Sequence, residues 1–183
     1  VTATKLSGYE LRVTVTARPR GDTQMLVRIN AGYDEEVVKD LKFHRDFFTA
    51  LPTTVVVDHM GRPDVTGPVD GPAFRSFLQL MQEHPNIWSK VSCAERVSVS
   101  GPPALDGERN PYRDVVPFAR RVVETFPDRV LWGTDWPHPN LRDHMPDDGL
   151  LVDFVPQIAT TPELQRKLLV DNPMRLYWPE EQR

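Results

Sequence analysis

Thr54-Val55-Val56-Val57-Asp58-His59-Met60-Gly61-Arg62 opens on a run of valines and turns polar within one residue. Branched side chains favour extended backbone, and an unbroken short apolar run is the pattern of a parallel strand buried on both faces. The strand therefore ends near Asp58, where a glycine soon frees the backbone. Two more stretches repeat the arrangement: Ile87 to Ser92 runs into Cys93-Ala94-Glu95-Arg96, and Arg129 to Thr134 runs into Asp135-Trp136-Pro137-His138.

Upstream, Met25 to Asn30 has the same strand character, with a further short strand expected at Leu11 to Thr16. Between the strands, apolar residues recur at steps of three and four: Val37, Leu41, His44 and Phe48; then Phe74, Phe77, Leu78 and Met81; then Val115, Ala119, Val122 and Phe126. Each set places one apolar stripe on a helix. The expectation is four repeats of strand then helix, an α/β chain with a parallel sheet. Asp70, Thr161 and Asn172 each stand next to or just before a proline that suits a first helical turn, so each is expected to cap a helix. Ser98 to Asn110 and Pro137 to Gly149 depart from the rhythm and read as loops over a binding site.

Composition narrows the function. Of 183 residues, 39% are hydrophobic and 26% charged, ordinary proportions for a chain that buries a core. A net charge of -4 argues against a general nucleic-acid binder, whose phosphate contacts require a basic excess. The single cysteine, Cys93, excludes an intramolecular disulfide and a zinc site built from cysteines, and points to a cytoplasmic protein. No stretch reaches the roughly 18 apolar residues of a membrane span.

The chemistry-bearing residues cluster at the three strand ends. In βα barrels, side chains from the ends of separate strands converge on one pocket. A histidine, His59, and a carboxylate, Asp135, meeting there would supply a hydrogen-bond donor to a polarised carbonyl and a general base for water. Asp135, set between Gly133-Thr134 and Trp136-Pro137, is expected in a partly apolar setting and is the better base; Asp58 competes with it but is read as structural. Arg62 and Arg96 follow their strands closely, and a planar guanidinium pairs with a carboxylate in two places, so an acidic substrate is expected. His138 and Asn140 would bind substrate or order their loop. His44 and His84 fall on helices, and His144 with Asp143, Asp147 and Asp148 reads as a solvated acidic loop, not a metal site.

Taken together, VVVDHMGRPDV, WSKVSCAERVSVSGPPAL, RVLWGTDWPHPN and LLVDNPMRLYW resemble the 2-pyrone-4,6-dicarboxylate hydrolases, lactonases of the amidohydrolase superfamily, from about Phe47 to Trp178. The resemblance implies a (β/α)8 TIM barrel and hydrolysis of a small dicarboxylated lactone during breakdown of lignin-derived aromatics. It assigns His59 and Asp135 to catalysis and Arg62 and Arg96 to the substrate carboxylates. It also implies no cofactor, although many superfamily relatives use zinc.

The chain departs from that pattern at its front. A full barrel takes about 250 residues, and the histidine-x-histidine pair of the family's first strand is absent. Arg18 and Arg20 stand in a segment that does not align with the family's fourth-strand arginines. Counting back from the last strand, the chain is expected to hold the C-terminal half of a barrel, paired with a missing N-terminal half or with itself, and inactive alone. The rival expectations are a non-catalytic binding or assembly module and a sugar-lactone hydrolase.

Overall fold

The computed structural model describes residues 13–16, 26–29, 48–101, 112–138, 141 and 145–179, the first two segments as backbone only. Among the described residues the strands are β1 (Val13–Thr16), β2 (Leu26–Ile29), β3 (Val55–Val57), β4 (Ile87–Val91) and β5 (Val130–Trp132), hydrogen-bonded in chain order as one sheet. The strands from β2 to β5 are parallel, while β1 lies antiparallel on the outer edge of β2. Each expected strand is present, and β3, β4 and β5 stop short of the polar residues expected at their ends. The helix expected around Val37 to Phe48 lies largely outside the described residues; Phe48 itself is buried in the core.

The helices are α1 (Pro72–Glu83), α2 (Ala94–Val97), α3 (Val116–Thr125), α4 (Asp148–Asp153), α5 (Val155–Ile158), α6 (Pro162–Arg166) and α7 (Asn172–Tyr177), with a π-helical turn at Lys167–Asp171 before α7. One face of the sheet, Val55, Val57, Ile87, Val91 and Val130, packs against Phe74, Phe77 and Met81 of α1 and Phe118, Ala119 and Val122 of α3. The other face, Val56, Trp88 and Leu131, is covered by Leu176 and Tyr177. Covering both faces explains why the valine run has no polar alternation. The α1 stripe is rotated slightly from expectation, with Leu80 buried where Leu78 is only half-buried.

Two of the three expected caps are not caps. Gly71 occupies the N-cap of α1; Asp70 instead accepts from Arg75 through its carbonyl and pairs with Arg121 through its carboxylate. Asn172 is fully buried and donates to the carbonyls of Pro127 and Val130, fastening α7 beneath β5. Thr161 does cap α6, accepting from the Leu164 amide at 3.2 Å. Among the described residues no helix is long and apolar enough to cross a membrane.

Candidate active site

Three consecutive strands end alike. Just past β3, β4 and β5 the backbone enters the left-handed region at a residue other than glycine: His59 at φ 59°, Cys93 at φ 64° and Asp135 at φ 69°. Such residues cost conformational energy and concentrate where side-chain direction matters. The turn after β3 is held by Met60 and Gly61, also at positive φ, and a side chain at Gly61 would press on the Phe77 ring at 3.2 Å. Glycine takes this conformation without strain and keeps clear of that ring.

These turns bring the expected residues together. His59 is buried, its Nδ1 2.8 Å from Ser92 Oγ and its Nε2 3.9 Å from Asp135 Oδ1. Burial lowers the His59 pKa to about 4, more than the neighbouring Asp135 and Asp58 charges raise it, so the imidazole is neutral at pH 7. Its Nε2 has no hydrogen-bond partner among the described residues. A buried imidazole nitrogen without a partner is costly unless something else, such as a substrate, meets it.

Asp135 is not in the apolar setting the sequence suggested. Its Oδ2 forms an ion pair with Arg96 Nη2, and the two side chains are 13% and 5% exposed. Arg96, expected to grip substrate, thus meets Asp135 within the chain itself. Arg62 sits half-buried at φ 55°, close enough to Cys93 to influence its thiol. His138 is buried with both ring nitrogens committed to carboxylates, Nδ1 to Glu95 at 3.4 Å and Nε2 to Asp148 at 3.2 Å. Asp148 is accordingly more than part of a solvated loop, while Asp147 caps α4 by accepting from the Gly149 amide. Asn140 and His144 lie outside the described residues.

Sequence reasoning passed over Ser92, Lys90 and Glu95. Ser92 was visible only as a strand's last residue. Lys90 shares the sheet face of Trp88 and pairs with Asp58 at 2.6 Å, both side chains nearly buried; a lysine at an inward position of an otherwise apolar strand was the available signal. Glu95 gave none, because nothing in Cys93-Ala94-Glu95-Arg96 says which charge is buried.

His59, Cys93 and Asp135 each offer one ligand atom, and these lie within 4.8 Å of one another, near enough to hold a metal ion. In the metal-free site burial, with Glu95 nearby, pushes the Cys93 thiol up to about 12, and the Asp135 carboxylate faces a guanidinium; a bound metal would ionise the thiol and compete with Arg96 for the carboxylate.

The amidohydrolase family model matches residues 34–178. The chain belongs to the amidohydrolase family. It is 81% identical over 136 residues to a 2-pyrone-4,6-dicarboxylate hydrolase of Comamonas testosteroni, covering 74% of this chain and 45% of that protein. A 4-sulfomuconolactone hydrolase of Hydrogenophaga intermedia is 43% identical over 129 residues, covering 69% of this chain and 39% of that protein. The chain therefore spans less than half the length of these relatives.

Among solved structures, a probable 2-pyrone-4,6-dicarboxylic acid hydrolase from Acinetobacter baumannii with citric acid bound aligns with a TM-score of 0.57 at 25% identity, covering 76% of this chain and 49% of that one. An amidohydrolase from Burkholderia multivorans with bound zinc aligns at TM-score 0.59 and 18% identity, over 83% of this chain and 52% of that one, a likeness of fold alone.

Proposed function

We propose that this chain is the C-terminal part of a (β/α)8 lactonase that opens the ring ester of 2-pyrone-4,6-dicarboxylate, with β2 to β5 as the fifth to eighth strands. The observation that carries the reading is the approach of His59 and Asp135 to 3.9 Å from the ends of β3 and β5, strands separated by β4. The 81% identity to a hydrolase of that name supports the substrate, and a match to 45% of its length supports the partial barrel. In a barrel the outer edge of β2, taken here by antiparallel β1, passes to a parallel fourth strand supplied by the rest of the full-length protein.

The chemistry follows from the arrangement. Asp135 accepts a proton from water, and the water oxygen bonds to the lactone carbonyl carbon. The carbonyl oxygen, now negative, takes a hydrogen bond from His59 Nε2–H. The ring carbon–oxygen bond breaks, and the departing enolate oxygen receives the proton from Asp135. A neutral His59 suits this donor role. The Ser92 hydroxyl, donating to Nδ1, would select the tautomer with its proton on Nε2.

Arg62 and Arg96 bind the substrate carboxylates, Arg96 turning part of its guanidinium from Asp135 to the substrate, and Asn140 contacts the substrate or orders its loop. No divalent metal takes part in this reading, which the ion pair already engaging Asp135 with Arg96 supports. The lone cysteine, kept as a thiol, accords with a cytoplasmic setting, and the substrate class accords with breakdown of lignin-derived aromatics.

The test is ring loss followed by absorbance in the full-length protein, with the pyrone dicarboxylate, a sulfonated muconolactone and a sugar lactone, each with and without a chelator. The expected result is turnover of the pyrone dicarboxylate that the chelator leaves unchanged. Preference for another lactone would replace the substrate, and loss of activity on chelation would restore a metal.

A further inference from the structure

The turn that carries Asp135 has two anchors on one short helix. It runs from Asp135 to His138, both at positive φ, and closes with the His138 amide donating to the Asp135 carbonyl at 2.8 Å. Its first residue pairs with Arg96 and its last with Glu95, neighbours on α2. Between them Trp136 is 75% exposed and contributes no buried packing. The side-chain contacts that tie the turn to the rest of the fold are therefore those at its two ends.

The Glu95–His138 contact is built at a cost. The side chains of Glu95 and His138 are 0% and 1% exposed, and Glu95 Oε2 has no hydrogen-bond partner among the described residues. Burying a carboxylate is unfavourable unless a partner compensates. On its far side His138 reaches Asp148 at the start of α4, so one imidazole joins the Asp135 turn to two helices.

We propose that Glu95 and His138 are positioning residues that hold Asp135 at its working place relative to His59. The proposal rests on the reading of Asp135 as the base that activates water. When Arg96 turns toward a substrate carboxylate, the Asp135 turn loses one of its two anchors on α2. Glu95 and His138 keep the other, so the base stays aligned while its ion-pair partner is shared.

The experiment has two readouts. In the full-length protein, Glu95→Gln and His138→Gln should each lower kcat for the pyrone dicarboxylate by about 100-fold, the effect of misplacing a reacting group by roughly 1 Å, with little change in KM. In the 183-residue chain, the Arg96 guanidinium resonance, sharpened by its pair with Asp135, should shift or broaden in both variants. Wild-type kcat, or an unchanged Arg96 resonance, in a folded variant would overturn the proposal. So would loss of the folded amide spectrum in both variants, which would make the contact a requirement of folding alone. If the unsubstituted protein hydrolyses no lactone, the functional reading fails, and the Arg96 resonance alone decides whether the turn is held in this way.

Discussion

His59 Nε2 and Asp135 Oδ1 stand 3.9 Å apart although 76 positions separate them in the chain, and each residue sits at positive φ just beyond its strand. Neither a helix nor a strand supplies this proximity. It comes from parallel strands that end at one level and from left-handed turns that aim the side chains at a common point.

The first prediction follows from the neutrality of His59. Its pKa is about 4 in the folded chain and near 6.5 when exposed, so between these values the unfolded chain binds more protons. Stability contributed by this group is then present above about pH 6.5 and lost as pH falls toward 4. Thermal denaturation of the chain and of His59→Gln should diverge over that window, the parent losing Tm relative to the variant on acidification. A constant difference across the window would place the histidine pKa near its ordinary value.

Arg62→Met and Arg96→Met should separate binding from turnover. Arg62→Met is expected to raise KM by roughly 10- to 150-fold, the equivalent of about 1.5–3 kcal/mol for a charge-assisted hydrogen bond. Arg96→Met should lower kcat as well, because Asp135 loses its ion-pair partner. Steady-state kinetics of the full-length variants distinguish the two patterns, and identical effects would assign both arginines the same role.

Cys93 is 1% exposed and its thiol is pushed up to about 12. Alkylation by iodoacetamide at pH 8 should be at least about 1,000-fold slower in the folded chain than after denaturation, in proportion to the thiolate fraction. Rapid single-site modification under native conditions would show that the turn after β4 is open to solvent.

Asn172→Ala should destabilise the fold by about 2–4 kcal/mol, since it leaves the Pro127 and Val130 carbonyls without their side-chain donor in a buried place. Urea unfolding of the chain measures this directly. A change below about 0.5 kcal/mol would mean that water replaces the amide.

The sheet was legible because strands covered on two faces have to be apolar throughout, as Val55 to Val57 are. The site was legible to the extent that it lies at the polar ends of those runs, which is why His59, Arg96 and Asp135 could be named together. What escaped depends on contacts between distant segments. The antiparallel setting of β1 and the pairing of Lys90 with Asp58 are matters of register across the sheet. Asp70 and Asn172 carry the local pattern of helix caps, yet a distant arginine and two carbonyls compete for them and win. Whether His138 binds substrate or orders its loop stayed open because a loop histidine carries no local mark of burial; Glu95 and Asp148 decide its surroundings from elsewhere in the chain.

The central claim is that Asp135 activates water for opening of the lactone ring. Its most direct test is the kcat of Asp135→Asn in the full-length protein, measured by absorbance of the pyrone ring, beside substrate affinity measured by calorimetry. The variant keeps the shape of the side chain but cannot accept the proton, so turnover should fall by about 1,000-fold or more while affinity changes little. Near-normal turnover by this variant would remove Asp135 from the mechanism.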